Sequence, residues 1–238
     1  MNVLIVYAHP EPTSFSAALR DRAATALTKA GHQVVISDLY AEGFNPVAGR
    51  HDFTSVADPN RFHYQSEQAH AARLDAFADD LKREQARVKE ADILILLYPL
   101  WWGGVPAILK GWFDRVLAYG FAYVDGYRFD TGLFRGRRAL FAVTTGGTAE
   151  RFGPTGVYGE VEKVLWQVKR TTLEYMGYAV EEPFIAYAAP RVSDEEREAY
   201  LAEFEQRVLD LAEKPVDRSL RVDNPLDLVP ADAWSRKA

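Results

Sequence analysis

Hydrophobic positions along this chain follow two rhythms. Residues 3–8 (Val-Leu-Ile-Val-Tyr-Ala) and 93–98 (Ile-Leu-Ile-Leu-Leu-Tyr) are apolar without a break, and residues 33–37 and 138–145 come close. Runs that short and that continuous read as strands buried on both faces, as in a parallel sheet. Residues 178–188 complete a set of five. Between the strands apolar residues recur at helical spacing. Ala18, Leu19, Ala26 and Leu27 mark one face of residues 17–30, and Leu74, Phe77, Leu81 and Val88 one stripe of a helix over 65–90. Ser14 or Thr13 caps the first helix and Gly31 ends it. Pro106 falls in the first turn of a helix running to about residue 118. Gly177 closes a helix from residue 160, and Ser193 with Glu196 forms a capping box for one reaching residue 213. Strands alternating with helices predict an α/β fold, a doubly wound five-stranded parallel sheet with helices on both faces. Residues 1–213 make one domain. Residues 214–238 read as a tail over the surface or a partner subunit.

Two stretches lack a period. Residues 38–63 read as a long surface excursion, either functional or an oligomer contact. Residues 119–136 are rich in aromatics and glycine. Composition adds exclusions. The 238 residues carry a net charge of -6, which disfavours nucleic acid or an anionic membrane as a main partner. There is no cysteine, hence no disulfide or thiolate metal site, and the five histidines show no metal-ligand spacing. His32, His51 and His70 read as solvated surface. No apolar run approaches the ~18 residues that span a bilayer. A cytoplasmic location and no membrane insertion are the expectations.

Chemistry gathers where strands end. Residues 9–16, 99–104 and 144–158 follow three of the strands, so in a doubly wound sheet all three loops lie along one edge. The first enters a helix N-terminus, whose free N–H groups favour a phosphate, with Thr13, Ser14 and Ser16 adding hydroxyls. It lacks the glycine-lysine pattern of a nucleoside triphosphate loop and the three-glycine dinucleotide turn. The second offers two flat rings, Trp101 and Trp102, beside Gly103 and Gly104. The third offers Thr144, Thr145, Gly146 and Gly147, donors that suit the pyrimidine edge of an isoalloxazine, where negative charge collects on reduction. The set points to a flavin bound in the manner of flavodoxin.

These same segments carry a family resemblance. Residues 8–16 (Ala-His-Pro-Glu-Pro-Thr-Ser-Phe-Ser), 37–41, 44–46, 99–115 (Pro-Leu-Trp-Trp-Gly-Gly-Val-Pro-Ala-Ile-Leu-Lys-Gly-Trp-Phe-Asp-Arg), 121–123 and 144–147 match in register. The chain resembles the NAD(P)H:quinone oxidoreductases of the flavodoxin-like superfamily, over most of its length to about residue 211. The resemblance implies a homodimer with FAD rather than FMN at each end of its interface. NAD(P)H would be the co-substrate, with a quinone or other two-electron acceptor reduced by ping-pong hydride transfer. By resemblance, His9, Phe15 and Ser16 surround the diphosphate, Leu100, Trp101, Trp102 and Gly103 the isoalloxazine, and Thr144 to Gly147 its pyrimidine edge. His63 and Arg197 take more distant cofactor positions. Trp102 and Phe152 would line the substrate pocket, joined by Tyr123, Asp125 and Tyr175 of the other subunit.

The departures concern the same site. Mammalian members place a tyrosine and a histidine after the Thr-Thr-Gly-Gly loop, where this chain has Phe152 and Tyr158. Phe152 offers no hydrogen bond, and Tyr158, with an ordinary pKa of ~10, donates but carries no positive charge. Tyr158 is the catalytic candidate. Gly103 replaces a phenylalanine and Asp125 a tyrosine, which implies a wider or wetter pocket. The alternative function is a regulatory subunit of a potassium-efflux transporter that keeps residual reductase activity.

Overall fold

The computed structural model describes residues 1–229. In chain order the elements are β1 (Asn2–Tyr7), α1 (Phe15–Lys29), β2 (Gln33–Asp38), α2 (Tyr64–Leu74), α3 (Asp79–Glu90), β3 (Ile93–Pro99), α4 (Ala107–Val116), β4 (Arg138–Thr144), α5 (Val161–Val168), β5 (Ala179–Val180), β6 (Phe184–Ala186) and α6 (Asp194–Glu213). All strand pairings are parallel, in the order β2-β1-β3-β4-β5, with β6 also on β4. The doubly wound parallel sheet is therefore present. Every residue of β3 is buried because each face has its own core. Leu4, Val6, Leu94 and Leu96 belong to one cluster with α3 and α4, while Val3, Ile5, Ile93 and Ile95 belong to another with α1 and α6. That is why the strand reads as unbroken apolar sequence.

The structure corrects three boundaries. The helix expected over 65–90 is two helices, α2 and α3. Asp75 turns into the left-handed region at φ 52, and Phe77 pairs with Phe53 in an antiparallel bridge. Thr54 N–H donates to the Ala76 carbonyl at 2.8 Å and Ala78 N–H to that of Asp52 at 2.8 Å, so the break is where the excursion docks. Leu74, expected in the buried stripe, is exposed. The fifth strand is split into β5 and β6 around Pro183, which has no N–H for a ladder. The helix from 160 starts as α5 and ends in a π-helical turn, Lys169–Glu174, where the Thr171 and Thr172 hydroxyls both donate to the Gln167 carbonyl.

Two segments outside the elements are fastened by charge. The excursion over 38–63 is tied down at Asp52, which is fully buried and accepts from Arg115 Nε and Nη2 at 2.9 and 2.7 Å. Residues 214–229 run as a strap across the amino edge of the sheet. Arg218 Nε and Nη2 donate to the buried Asp92 carboxylate at 2.8 and 2.6 Å, and Arg221 Nη2 adds a third bond at 2.6 Å. Val222 and Leu226 pack onto the core beyond them. The tail's residues 230–238 lie outside the described residues.

Candidate flavin site at the carboxyl edge

In the order β2-β1-β3-β4-β5 the chain turns from β1 to β2 on one side and crosses back to β3 on the other. The carboxyl ends of β1 and β3 are thus the switch point, where open α/β sheets leave a crevice. A cavity of about 560 Å³ lies there, bounded by the loops after β1, β3, β4 and β6.

The β1 loop supplies the helix end. Ser14 caps α1, its Oγ accepting from Ala17 N–H at 3.1 Å while sharing a 3.1 Å bond with the Tyr7 hydroxyl. The Phe15 and Ser16 N–H groups have no intrahelical acceptor. No acidic residue sits in the first turn, and among the described residues no carboxylate lines the cavity. The positive end of the helix dipole is left open to an anionic ligand. His9 Nδ1 accepts from Glu11 N–H at 3.0 Å, which leaves Nε2–H as its donor. Burial lowers the His9 pKa from its ordinary value, so the ring is neutral near pH 7.

The β3 loop is a tight turn. Trp101 and Gly104 exchange backbone bonds of 3.1 and 3.0 Å, and the two central residues both have positive φ, 51 for Trp102 and 71 for Gly103. A turn of this hand takes glycine readily but strains a bulky residue. Trp102 is fully exposed, and none of the described residues covers it. Trp101, half-exposed, lies 6.2 Å from the His9 ring.

The β4 loop is held from two sides. Thr144 Oγ1 shares a 2.9 Å bond with Ser16 Oγ, which ties this loop to the start of α1. Behind it, Ala189 N–H donates to Thr145 O at 3.0 Å and Ala188 N–H to Gly147 O at 2.8 Å, while Arg191 donates to the Gly146 carbonyl. Gly146 is open to the cavity side, whereas a Cβ on Gly147 would come within 2.8 Å of Phe152 and 3.1 Å of Tyr158. Gly147 is thus what lets both rings approach the loop. Phe152 is buried and Tyr158 half-exposed, their centroids 5.0 Å apart.

Of the residues singled out in the sequence, His9, Ser14, Phe15, Ser16, Leu100, Trp101, Thr144, Thr145, Gly146 and Arg197 line this one cavity. Trp102, Gly103 and Gly147 continue the same loops and Phe152 and Tyr158 pack against Gly147, but none of these five lines the cavity. Arg197 Nε is anchored on the Ala189 carbonyl at 3.2 Å. His63 lies elsewhere, capping α2 through Ser66. Tyr123, Asp125 and Tyr175 form a separate aromatic group. Tyr123 is 6.2 Å from Tyr175, and Asp125 accepts from Tyr119 at 3.3 Å. The loop after β6 was missed in the sequence: Ala188, Ala189, Pro190 and Arg191 support the Thr-Thr-Gly-Gly loop. The available signal was Pro183, which ends a strand early, followed by the turn-prone Ala-Ala-Pro-Arg.

Comparison with known proteins agrees with this geometry. The profile of a family described as having a flavodoxin-like fold matches residues 1–208. Ribosyldihydronicotinamide dehydrogenase [quinone] of Pongo abelii is 45% identical over 208 residues, covering 87% of this chain and 90% of that protein. NAD(P)H dehydrogenase [quinone] 1 of Cavia porcellus is 40% identical over 206 residues, 86% of this chain and 75% of that one. A solved NAD(P)H:quinone oxidoreductase from Methanothermobacter marburgensis superposes with TM-score 0.70 at 29% identity, covering 91% of this chain and 98% of that one.

Proposed function

The chain belongs to the flavodoxin-like fold family, and from that premise we propose that it is a flavin-dependent NAD(P)H:quinone oxidoreductase. The observation that carries this reading is a cavity at the switch point, lined by no carboxylate among the described residues and walled by an open helix N-terminus, an aromatic turn and a loop of hydroxyl and N–H donors. Those three walls suit, in turn, a phosphate, a flat ring and the ring's polar edge. The quinone-enzyme names of the relatives favour this reading over a transporter subunit.

FAD is the expected form. The Phe15 and Ser16 N–H groups and His9 Nε2–H would hold its diphosphate, and Arg197 its nucleotide end. Trp101, Trp102 and Gly103 would face the ring, and Thr144 to Gly147 would donate to the pyrimidine edge. When bound, the flavin supplies two-electron chemistry, accepting hydride from a reduced nicotinamide and delivering it to the acceptor. Donors fixed in advance stabilise the charge that develops at the ring edge without reorganising. Tyr158, beside Gly147, would add one further hydrogen bond. Phe152 would supply only an apolar wall. Trp102 is covered by none of the described residues, which suits a substrate stacked there. Tyr123, Asp125 and Tyr175 would close the pocket from a second copy, and a role for His63 at the cofactor likewise requires that copy.

Replacing Tyr158 by Phe should slow reduction by the nicotinamide about tenfold to a hundredfold, as for loss of one donor worth ~1.5–3 kcal/mol. Stopped-flow absorbance measures this directly, and an unchanged rate removes Tyr158 from the mechanism.

A further inference from the structure

A second constellation occupies the amino edge of the sheet. Asp92, Arg137 and Tyr178 immediately precede β3, β4 and β5, and the register Ile93–Arg138–Ala179 sets them in one row. Arg137 and Tyr178 are each only 4% exposed. Arg137 Nη1 donates to the Val88 and Ala91 carbonyls at 2.7 and 3.2 Å, and its guanidinium lies over Phe134 at 4.7 Å, yet its buried Nε has no partner among the described residues. The Tyr178 hydroxyl sits beside Arg137, which can only donate, so the phenolic proton has no acceptor among the described residues. From the strap comes Arg221. Its Nη2 is spent on Asp92 at 2.6 Å, and its Nε is buried and unpaired as well.

Asp92 does not meet these three donors, because its oxygens already accept from Arg218, Arg221 and the Asn2 N–H. Burial lowers the Arg137 pKa, and the neighbouring Arg221 charge adds to that effect. A water molecule fits poorly here. Its oxygen accepts two bonds, so one water cannot take all three donor protons. An anion accepts from every donor and offsets the buried charge of Arg137, Arg221 being partly exposed and already paired with Asp92. Cavities of about 740 and 390 Å³ both reach Arg137, and the larger also reaches Tyr178, although the unpaired atoms themselves are buried and Arg221 lines neither.

We propose that Arg137, Tyr178 and Arg221 hold a small inorganic anion of the halide class, which joins the strap to the body of the sheet. Two of the ligands belong to the body and one to the strap, so occupancy and strap docking are linked.

Trypsin cleavage after Arg218 and Arg221 in the full-length, flavin-loaded protein reports strap release. At matched ionic strength, replacing gluconate by chloride should slow that cleavage about fivefold, at chloride a few times its dissociation constant. Tyr178→Phe should lose most of this protection while cleaving like wild type in gluconate, and Arg137→Met should lose all of it. Tyr178→Phe removes one buried, unpaired hydroxyl, so it keeps the test valid if Arg137→Met fails to fold. Crystals soaked in bromide should show an anomalous peak within hydrogen-bonding distance of Tyr178 Oη and Arg137 Nε. Cleavage that ignores the anion, a Tyr178→Phe protein that keeps full chloride protection, or no bromide peak at that position would each overturn the proposal.

Discussion

The two edges of the sheet are built from the ends of the same strands and treat charge in opposite ways. At the carboxyl edge, the loops after β1, β3 and β4 turn N–H groups and hydroxyls toward a cavity that no carboxylate of the described residues lines. At the amino edge, Asp92 is fully buried under three arginine bonds, and a strap of chain is fixed across it. The comparison separates two uses of polarity. Donors left without a protein acceptor mark a place for a ligand, whereas donors matched to a carboxylate fasten a segment.

The largest expected effect comes from giving the carboxyl edge the charge it avoids. Ser14→Asp keeps a good helix cap, so unfolding stability should move by no more than about 0.5 kcal/mol. Its carboxylate would oppose an anionic phosphate at the α1 N-terminus, and flavin affinity should fall about a hundredfold, ~2.7 kcal/mol. Equilibrium titration of the apoprotein with FAD measures it. Undiminished affinity would mean that the open helix end is not where the phosphate binds.

Next in size is the converse change. Asp92→Asn should destabilise the fold by about 2 kcal/mol in urea unfolding and release the strap, because it leaves Arg218 and Arg221 without their carboxylate. Acid should mimic it. Burial would raise the Asp92 pKa, but the bonds from Arg218 and Asn2 and the charges of Arg218 and Arg221 overcome that and hold it below its ordinary value. A depressed native pKa stabilises fully above the unfolded value of ~3.9 and is lost as pH falls through the native one. Strap release should therefore begin as wild type is acidified below about pH 4, and the Asp92→Asn protein should lack that step.

Trp102→Gly should have the smallest effect on the fold. Relief of left-handed strain, about 1 kcal/mol, is offset by the greater flexibility of the unfolded glycine chain, so stability should stay within about 0.5 kcal/mol. The KM for a quinone should nevertheless rise severalfold. Parallel changes in both quantities would make Trp102 a structural residue rather than a substrate wall.

Much of the carboxyl edge was legible in the sequence because strand ends and their loops are contiguous. His9 to Ser16, Leu100 to Gly103 and Thr144 to Gly147 each follow a recognisable apolar run, and the parallel sheet aligns them. What was hidden depends on distant pairing. The break between α2 and α3 needs Phe53 to meet Phe77, and an unbroken helical pattern gives no warning of it. The support from Ala188 to Arg191 was masked because two short strands around Pro183 look like one. The amino-edge cluster joins Asp92, Arg137, Tyr178 and Arg221 from four parts of the chain, and no local pattern links them.

The central claim is tested most directly by releasing the bound cofactor, identifying it, and mixing the loaded protein anaerobically with NADH, NADPH or dihydronicotinamide riboside. The expected result is FAD, whose absorbance bleaches with at least one of these donors and returns when a naphthoquinone is added. A flavin-loaded protein that stays oxidised with all three would contradict it.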